Sequence, residues 1–330
     1  MLLRVAMDSG VAFEPSRAKP IAQDELRALQ RRSDARGLLR LAGHLLAIAL
    51  TGFVYTLALP RSLVLSGVCA LALGFTLVTL FATMHECVHR TAFESRWLND
   101  SVGFFAGLLS FYNSTFYRHY HRWHHLYTQL PGKDPELDDP KPTGFASYFL
   151  ELSALPWWLG KLHTHFNLAL GRVGAYPFLD EQRAAASVRS VRLQVFAYGA
   201  AIGISCWLGR PYFVLYWLVP VALAQPLLRA ILLAEHMGCS QDGDMLSNTR
   251  TTRTLWLVRF LMWEMPYHAE HHRYPALPFF ALASAHVRLE PYLAVVERHG
   301  YSGLHLSLLK AFRTGDPFTP NETTTGGSSD

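Results

Sequence analysis

Long apolar runs alternate with polar segments along most of the chain. Leu41–Leu59 and Leu63–Thr83 are each long enough to cross the hydrocarbon core of a bilayer, and only a short turn separates them. A second pair of runs with a similarly short turn comprises Leu193–Leu208 and Tyr212–Leu228. The pattern predicts an all-α integral membrane fold with four transmembrane helices arranged as two hairpins.

Shorter apolar stretches fall below the length needed to span a membrane. Val102–Phe111 and the region around Trp157 carry aromatic residues and glycine, which favours interfacial or re-entrant helices. Gln23–Arg36 mixes leucine and alanine with many charges, as an interfacial helix does, although a solvated surface helix has the same pattern.

The composition agrees with a membrane location. Half of the 330 residues are hydrophobic and only 17% are charged, which is too apolar for an ordinary soluble protein. Because the apolar runs leave no room for a separate soluble module, we expect one membrane domain over residues 38–312. A cytoplasmic or interfacial segment (1–37) without a cleavable signal peptide precedes it, and a polar, glycine-rich tail (313–330), expected to be disordered, follows it.

The charge distribution predicts the orientation in the membrane. Although the net charge is +5, the basic residues are scattered, which argues against a nucleic-acid partner. Four arginines precede the first span and each hairpin turn carries one, so the positive-inside rule places the N-terminus in the cytoplasm. After an even number of crossings, the segments that follow the second and fourth spans are also cytoplasmic and form a helical cap. The four cysteines form no CxxC pair, which fits a reducing compartment.

Nine of the 16 histidines cluster near the predicted cytoplasmic boundary. The first two are four residues apart, two copies of HxxHH follow, and one further histidine comes directly after the fourth span. On a helix, these spacings bring the rings to neighbouring positions. Because an octahedral ion accepts only six ligands, nine imidazoles predict a site for two metal ions. The nine predicted ligands are His85, His89, His121, His124, His125, His236, His268, His271 and His272.

The strings HECVH, HRWHH and HAEHH resemble the histidine boxes of membrane fatty acid desaturases, and the resemblance extends over roughly His85–Leu289. It implies two iron ions on the cytoplasmic side, O2 as co-substrate, and a ligand role for His236. It further implies desaturation of an acyl chain or a similar aliphatic substrate. KDPEL and MPYHAEHHRYP also look like bacterial desaturase sequences, which implies an inner-membrane location. Leu232 is a departure, since some family members have an asparagine there.

The expected partners follow from this resemblance. The chain has no fused cytochrome b5 motif or ferredoxin domain, so electrons are expected from a separate ferredoxin-, rubredoxin- or cytochrome b5-type carrier. A positive cytoplasmic face would attract an acidic carrier. The lipid bilayer and an aliphatic or acyl substrate are the other expected partners, and no nucleic acid is expected.

Four acidic residues close to the boxes are candidates for orienting the ligand rings by accepting their N–H groups. Solvated surface carboxylates would give the same pattern. Glu136 could likewise support a ligand, or pair with Arg118 or Arg122. The four candidates are Glu86, Glu235, Glu270 and Asp134.

Three other functions have to be weighed against desaturation. A hydroxylase of a lipid, carotenoid or alkane would use the same kind of site, and the spacing does not separate the two reactions. HECVH also matches the HExxH motif of zinc proteases, but that reading leaves the other histidine boxes without a role. A membrane cytochrome takes single histidines from facing helices, a geometry that histidine triplets fit poorly.

Overall fold

The computed structural model describes residues 20–174 and 176–318, and in them the chain is mostly helical. The predictions for the first residues and for the end of the tail lie outside the described residues. A pair of short parallel strands, β1 (Thr251–Thr252) and β2 (Val296–Glu297), is the one sheet within them. The helices are α1 (Gln23–Leu29), α2 (Asp34–Ala58), α3 (Leu63–Val78), α4 (Leu80–His89), α5 (Arg96–Ser110), α6 (Ser114–Tyr127), α7 (Phe145–Leu152), α8 (Leu155–Ala169), α9 (Glu181–Trp207), α10 (Val219–His236), α11 (Trp256–Leu261), α12 (His268–Arg273), α13 (Phe279–Leu289) and α14 (Gly300–Thr314).

Three segments are long and apolar enough to cross a membrane: Asp34–Ala58, Leu63–His89 and Val214–His236. Large apolar side chains cover much of the outer surface of these segments. Leu39, for example, is 76% exposed and Leu63 is 90% exposed. An apolar surface of this extent is stable in lipid and not in water, which marks the chain as a membrane protein.

The third predicted span has a lower mean hydropathy than these three segments. Leu193–Leu208 lies in the C-terminal half of α9, which is 27 residues long. Arg192, directly before this run, and Gln194 within it lower the mean hydropathy of any long window of α9, so α9 is not among the three candidate spans. The helix predicted for the third crossing is therefore present, but its composition does not mark it as a span.

The second predicted span is longer than Leu63–Thr83. The helix changes from α3 to α4 at Thr79 and continues to His89. Arg90 then adopts a left-handed conformation with φ of 61°, which ends the helix. The first histidine box therefore lies on the apolar helix itself and not beyond its end.

The fourth predicted span is also extended. It begins with a π-helical turn at Val214–Leu218, and α10 continues past Leu228 as far as His236. The single helix predicted over Gln23–Arg36 is wrong in one respect. The chain breaks after α1, and the Ser33 side chain then accepts a hydrogen bond from the third residue of α2.

The helix α3 lies between α2 and α10. The contact with α10 is close because Gly74 has no side chain. A Cβ atom at this position would overlap the carbonyl oxygen of Pro220 and approach the Ala224 Cβ to 2.8 Å. The close approach brings the ends of α4 and α10 side by side, and these ends carry His85 and His236.

The segment before the third histidine box is held against α2 and α3. Trp263 Nε1 donates a hydrogen bond to His44 Nδ1 at 3.2 Å, and His44 Nε2 donates to the carbonyl oxygen of Thr76 at 2.9 Å. Arg40 Nη2 forms an ion pair with Glu264 at 3.1 Å. These buried polar contacts link three distant parts of the sequence and set the position at which α12 begins.

We predict that Gly74→Ala destabilises the protein by about 1–3 kcal/mol, because the added methyl group overpacks the contact between α3 and α10. Thermal unfolding in detergent measures the effect. Gly67→Ala is the matched control, since it lies on the same helix and a Cβ there meets no atom within 4 Å. Equal stability of the two variants would contradict the close contact.

Candidate metal centre

All nine histidines predicted as ligands meet in one region, and they come from α4, α6, α10 and α12. The structure divides them into two clusters. The first cluster is His85, His89, His121, His125 and His271, whose ligand atoms lie within 4.8 Å of one another. In the second cluster, His268 Nε2 lies 3.3 Å from His236 Nε2 and 3.1 Å from His272 Nε2. The second cluster is His124, His236, His268 and His272.

The distances between ring nitrogens fit metal coordination. In the first cluster, His121 Nε2 lies 2.6 Å from His85 Nε2 and 3.0 Å from His125 Nε2. His271 Nε2 lies 3.1 Å from His125 Nε2. Imidazole nitrogens bound at about 2.0–2.1 Å to an ion are about 3 Å from their neighbours. Because lone pairs facing one another at this distance repel, the arrangement suits a cation between the rings.

Four of the rings place Nδ1 against an oxygen atom on the side away from the cluster centre. A proton held at Nδ1 leaves the lone pair on Nε2, which is the form of imidazole that binds a metal. Three of these four rings belong to the second cluster. The contacts are His124 with Asp134 Oδ1 (2.9 Å), His236 with the Asn248 carbonyl (3.0 Å), His272 with Thr128 Oγ1 (3.1 Å) and His121 with the Tyr117 hydroxyl (3.3 Å).

Of these oxygen partners, the sequence had indicated only Asp134 for this purpose. Its carboxylate also accepts from the backbone N–H of Gln129 at 2.7 Å, so its position is fixed by the chain around it. Tyr117 belongs to an aromatic run that is typical of interfacial packing. Thr128 and Asn248 belong to no motif, and only the folded structure brings them to the rings.

Two predicted carboxylate partners have other roles. Glu86 accepts from the Thr91 hydroxyl at 2.9 Å and from the first backbone N–H of α13 at 3.1 Å. Glu270 accepts from Thr251 and from His286, an isolated histidine. Among the described residues neither carboxylate accepts from a boxed histidine. Both side chains hold α12 and α4 against neighbouring elements, and their role in orienting ligand rings stays a prediction.

Two further carboxylates lie on the Nε2 side of the second cluster. Glu235 Oε2 is 3.5 Å from His268 Nε2, and Glu136 Oε2 is 3.7 Å from His124 Nε2. Glu235 was predicted to orient a ring N–H, but it faces the inward nitrogen instead. Arg118, a suggested partner of Glu136, pairs with an aspartate of α5 at 2.6 Å.

Electrostatics differ between the two clusters. Burial, together with neighbouring imidazoles, holds the pKa of His121 and of His271 well below the usual range. His124 behaves differently. Burial opposes its protonation, but the carboxylates of Glu136 and Asp134 outweigh that effect and raise its pKa. Burial also lowers the pKa of His268 and of His272 in the second cluster, so the favoured protonation is confined to His124.

The isolated histidines lie outside the two clusters among the described residues. His165 stacks on Phe111 with ring centroids 4.9 Å apart, and its Nδ1 lies 2.8 Å from the carbonyl oxygen of Lys161. His119, which lies two residues before His121, belongs to none of the potential ligand groups among the described residues. The role of the nine clustered histidines as metal ligands stays a prediction.

Comparison with known proteins identifies a family match over most of the chain. The model of the fatty acid desaturase family matches residues 60–301. The chain is 31% identical over 160 residues to an sn-1 oleoyl-lipid 12-desaturase of Picosynechococcus, a match that covers 44% of each chain. It is 23% identical over 235 residues to the enzyme of the same name from Synechocystis, with 66% of each chain covered.

A third relative has a different substrate in its name. The chain is 28% identical over 215 residues to a dihydrorhizobitoxine desaturase of Bradyrhizobium elkanii, and 61% of each chain is covered. In all three comparisons the chain spans less than two thirds of the relative's own length. The names agree on the reaction type and disagree on the substrate.

We predict that Asp134→Asn weakens metal binding about 10- to 100-fold, because an outer partner that fixes a ligand histidine is removed. Metal titration of the purified protein measures the affinity. Asp138→Asn is the control, since this exposed carboxylate lies in the same loop and contacts no ligand ring. Wild-type affinity in Asp134→Asn would contradict the role of the contact with His124.

Proposed function

The chain belongs to the fatty acid desaturase family, and we propose that it catalyses the O2-dependent desaturation of an acyl chain or a similar aliphatic substrate. The convergence of nine imidazoles on two adjacent buried clusters is the observation that carries this proposal. Iron agrees with the family and with the imidazole ligands. When bound, an iron pair supplies the oxygen-activating chemistry that removes hydrogen from an unactivated C–H bond.

The protein's own residues hold the ligands in the form that binds metal. Asp134, Thr128 and the Asn248 carbonyl keep the Nδ1 protons of three rings, so the Nε2 lone pairs stay directed inward. Thr128 is itself fixed, because its hydroxyl donates to the carbonyl oxygen of His124 at 2.8 Å. Fixed rings need little reorganisation when the charge of the site changes, which favours repeated oxidation and reduction.

An aliphatic substrate fits the apolar surroundings of the site. A cleft of about 370 Å³ between α5 and α9 is lined almost entirely by apolar atoms, with Leu109, Ile204 and Trp217 among its residues. The Trp217 ring lies 6.0 Å from that of Phe111, which leads towards the start of α6 and the second histidine box. The acyl chain of a lipid has the shape and polarity that such a cleft accepts.

Electrons come from a separate carrier of the ferredoxin, rubredoxin or cytochrome b5 type. Exposed arginines support docking of an acidic carrier on the side of the metal clusters. Arg122, for example, is exposed and directly follows a ligand of the first cluster. The short sequence distance between this charge and the ligand favours electron entry through α6.

The proposed topology has four crossings in two hairpins, with α9 as the third crossing. Both termini and the metal clusters face the cytoplasm, in a bacterial-type inner membrane. One membrane domain covers residues 38–312. The position of all nine rings at one end of α4 and α10 supports this arrangement, and three of the four proposed crossings are long and apolar enough to span a membrane.

Two other classes of protein are disfavoured by the site geometry. In a zinc protease the glutamate of HECVH would activate water, but Glu86 is held by Thr91 and by the start of α13. In a cytochrome the plane between two axial histidines holds a porphyrin, whereas in the first cluster other imidazoles lie around each ring. Hydroxylation uses the same kind of site, so product analysis has to separate it from desaturation.

We predict that cells expressing the protein convert a fed lipid or fatty acid into a product that lacks two hydrogens, and that His271→Ala abolishes this product together with bound iron. Mass spectrometry and metal analysis measure the two effects. His163→Ala is the control, because this exposed ring lies outside both clusters. A product that gains one oxygen would contradict desaturation in favour of hydroxylation.

We predict that Cys206 reacts with a membrane-impermeant maleimide added from outside the cell, because it lies near the outer end of the third crossing. It is the exposed cysteine, whereas Cys69, Cys87 and Cys239 are buried. Cys206→Ser provides the background signal. Labelling that requires permeabilised membranes would contradict the proposed four-crossing topology.

A further inference from the structure

The helix α8 has two different faces. Leucine and phenylalanine residues three or four positions apart form an exposed apolar stripe along it, as expected of a helix that contacts lipid. The stripe consists of Leu155, Leu159, Leu162 and Phe166. The opposite face carries Lys161 together with the buried residues His165 and Leu168. Lys161 therefore lies on the side of α8 that packs against the protein.

The ammonium group of Lys161 lies over an aromatic ring of the core. Its Nζ is 4.1 Å from the centroid of the Tyr112 ring, and Tyr112 is only 3% exposed. Among the described residues, Lys161 has no carboxylate at ion-pair distance, and Asp139 and Glu136 act on it only from farther away. Burial lowers the pKa of Lys161 to about 8, so the side chain stays protonated at neutral pH. Its charge is therefore incompletely compensated.

A second cation reaches the same tyrosine from α10. The Arg229 guanidinium lies close to the Tyr112 hydroxyl, which also accepts a hydrogen bond from Trp157 Nε1 at 3.0 Å. Arg229 donates through Nε at 3.0 Å and through Nη2 at 2.6 Å to a single oxygen atom of Glu151. The two cations therefore exceed the one carboxylate that is paired with them. Lys161, Arg229 and Tyr112 form the cationic site.

A buried amide lies one helical turn before Arg229. Gln225 is completely buried, and neither its Oε1 nor its Nε2 has a hydrogen-bond partner among the described residues. Residues 225, 229 and 236 share one face of α10, because separations of four and seven residues are close to one and two helical turns. Polar groups inside a membrane helix are costly unless they serve a ligand or a partner. The polar face of α10 that ends at His236 therefore favours a ligand with polar atoms.

The cationic site lies close to the first histidine cluster. The ring of Phe81 is 4.6 Å from that of Tyr112 and 6.1 Å from that of His85, so a single phenyl ring separates the two places. A molecule that is anchored at the cationic site has its neighbouring atoms near the predicted metal positions.

The same site also borders the apolar cleft between α5 and α9. The Phe111 ring, which precedes Tyr112 in the chain, is 6.1 Å from the ring of Trp157 and 6.0 Å from that of Trp217. Trp157 is bonded to Tyr112 of the cationic site, and Trp217 lines the cleft. An amphiphile with an aliphatic chain and an anionic end matches both surfaces.

We propose that Lys161 and Arg229 bind an anionic group of the substrate, a carboxylate or a phosphate at one end of an aliphatic chain. This rests on the proposed function, because the bound anion is taken to belong to the molecule that is desaturated. Lys161 supplies a charge without a competing carboxylate at ion-pair distance, and Arg229, held by Glu151, supplies N–H donors. The substrate class is thereby narrowed to anionic amphiphiles.

Equilibrium binding to the purified, metal-loaded protein in an uncharged detergent tests the proposal, without an electron donor so that no turnover occurs. The probes are palmitate, a lysophosphatidic acid with the same acyl chain, and uncharged hexadecanol. Wild type should bind at least one of the two anions about 10- to 100-fold more tightly than the alcohol, and the more tightly bound anion identifies the group. Equal binding of both anions and the alcohol would overturn the proposal.

Variants at Lys161 show whether this preference comes from the cationic site. Lys161→Met should lose the preference for the anion, whereas Lys161→Arg, which keeps the charge, should retain it. Lys310→Met is the matched control, since this lysine of α14 is exposed, and it should bind all three probes like wild type. An unchanged preference in Lys161→Met would overturn the proposal.

Thermal unfolding separates a binding role of Lys161 from a structural role. Without ligand, Lys161→Met should unfold at the temperature of wild type or above it, because an incompletely paired charge is removed. Palmitate or the lysophosphatidic acid should raise the melting temperature of wild type more than that of the variant. A variant that is destabilised without ligand but gains as much as wild type from the anion would overturn the proposal.

Product analysis distinguishes this proposal from the proposed function. A wild type that prefers the anion through Lys161 but forms no unsaturated product would contradict the desaturase function. An unsaturated product that wild type and Lys161→Met form equally well at low substrate concentration would contradict the anion site alone.

Discussion

Nine imidazole rings have to direct one nitrogen each into the same small volume while the opposite nitrogen of several rings meets an oxygen acceptor. Imidazole binds a metal only through a lone pair, so the position of the ring proton has to be fixed before the ion arrives. Asp134, Thr128 and Asn248 do this for the second cluster. The positions of the helix ends follow from this requirement, since each end has to deliver its rings to within a few ångström of the others.

The membrane helices and the polar braces meet this requirement together. Gly74 lets α3 and α10 approach closely, which brings the ends of α4 and α10 to the same level. Trp263, His44 and Thr76 form a buried hydrogen-bonded chain that ties the segment before α12 to the apolar helices. In lipid, such polar contacts are among the few directional interactions available to set the relative positions of helices. Close helix packing therefore sets the level of the helix ends, and the buried hydrogen bonds fix the segment that leads into α12.

The two histidine clusters differ in the charged groups that surround them. The first cluster is lined by neutral, deeply buried rings, whereas carboxylates lie near both nitrogens of His124 in the second. In the proposed function, two metal positions with different surrounding charge need not take the same role. The relatives' names agree on desaturation but not on the substrate.

The sequence by itself determined the apolar helices, the nine clustered histidines and the family, because hydrophobic length and i, i+3, i+4 spacing are local properties. It missed the extension of α4 to His89, the break before Ser33 and the weak apolar character of α9. Only the tertiary structure decided how the histidines are shared. His121 and His125 of the second box face one cluster and His124 the other, whereas in the third box His271 alone joins the first cluster. Local spacing gives the direction of each ring from its helix, but the packing of distant helices decides which rings meet and which carboxylates face them.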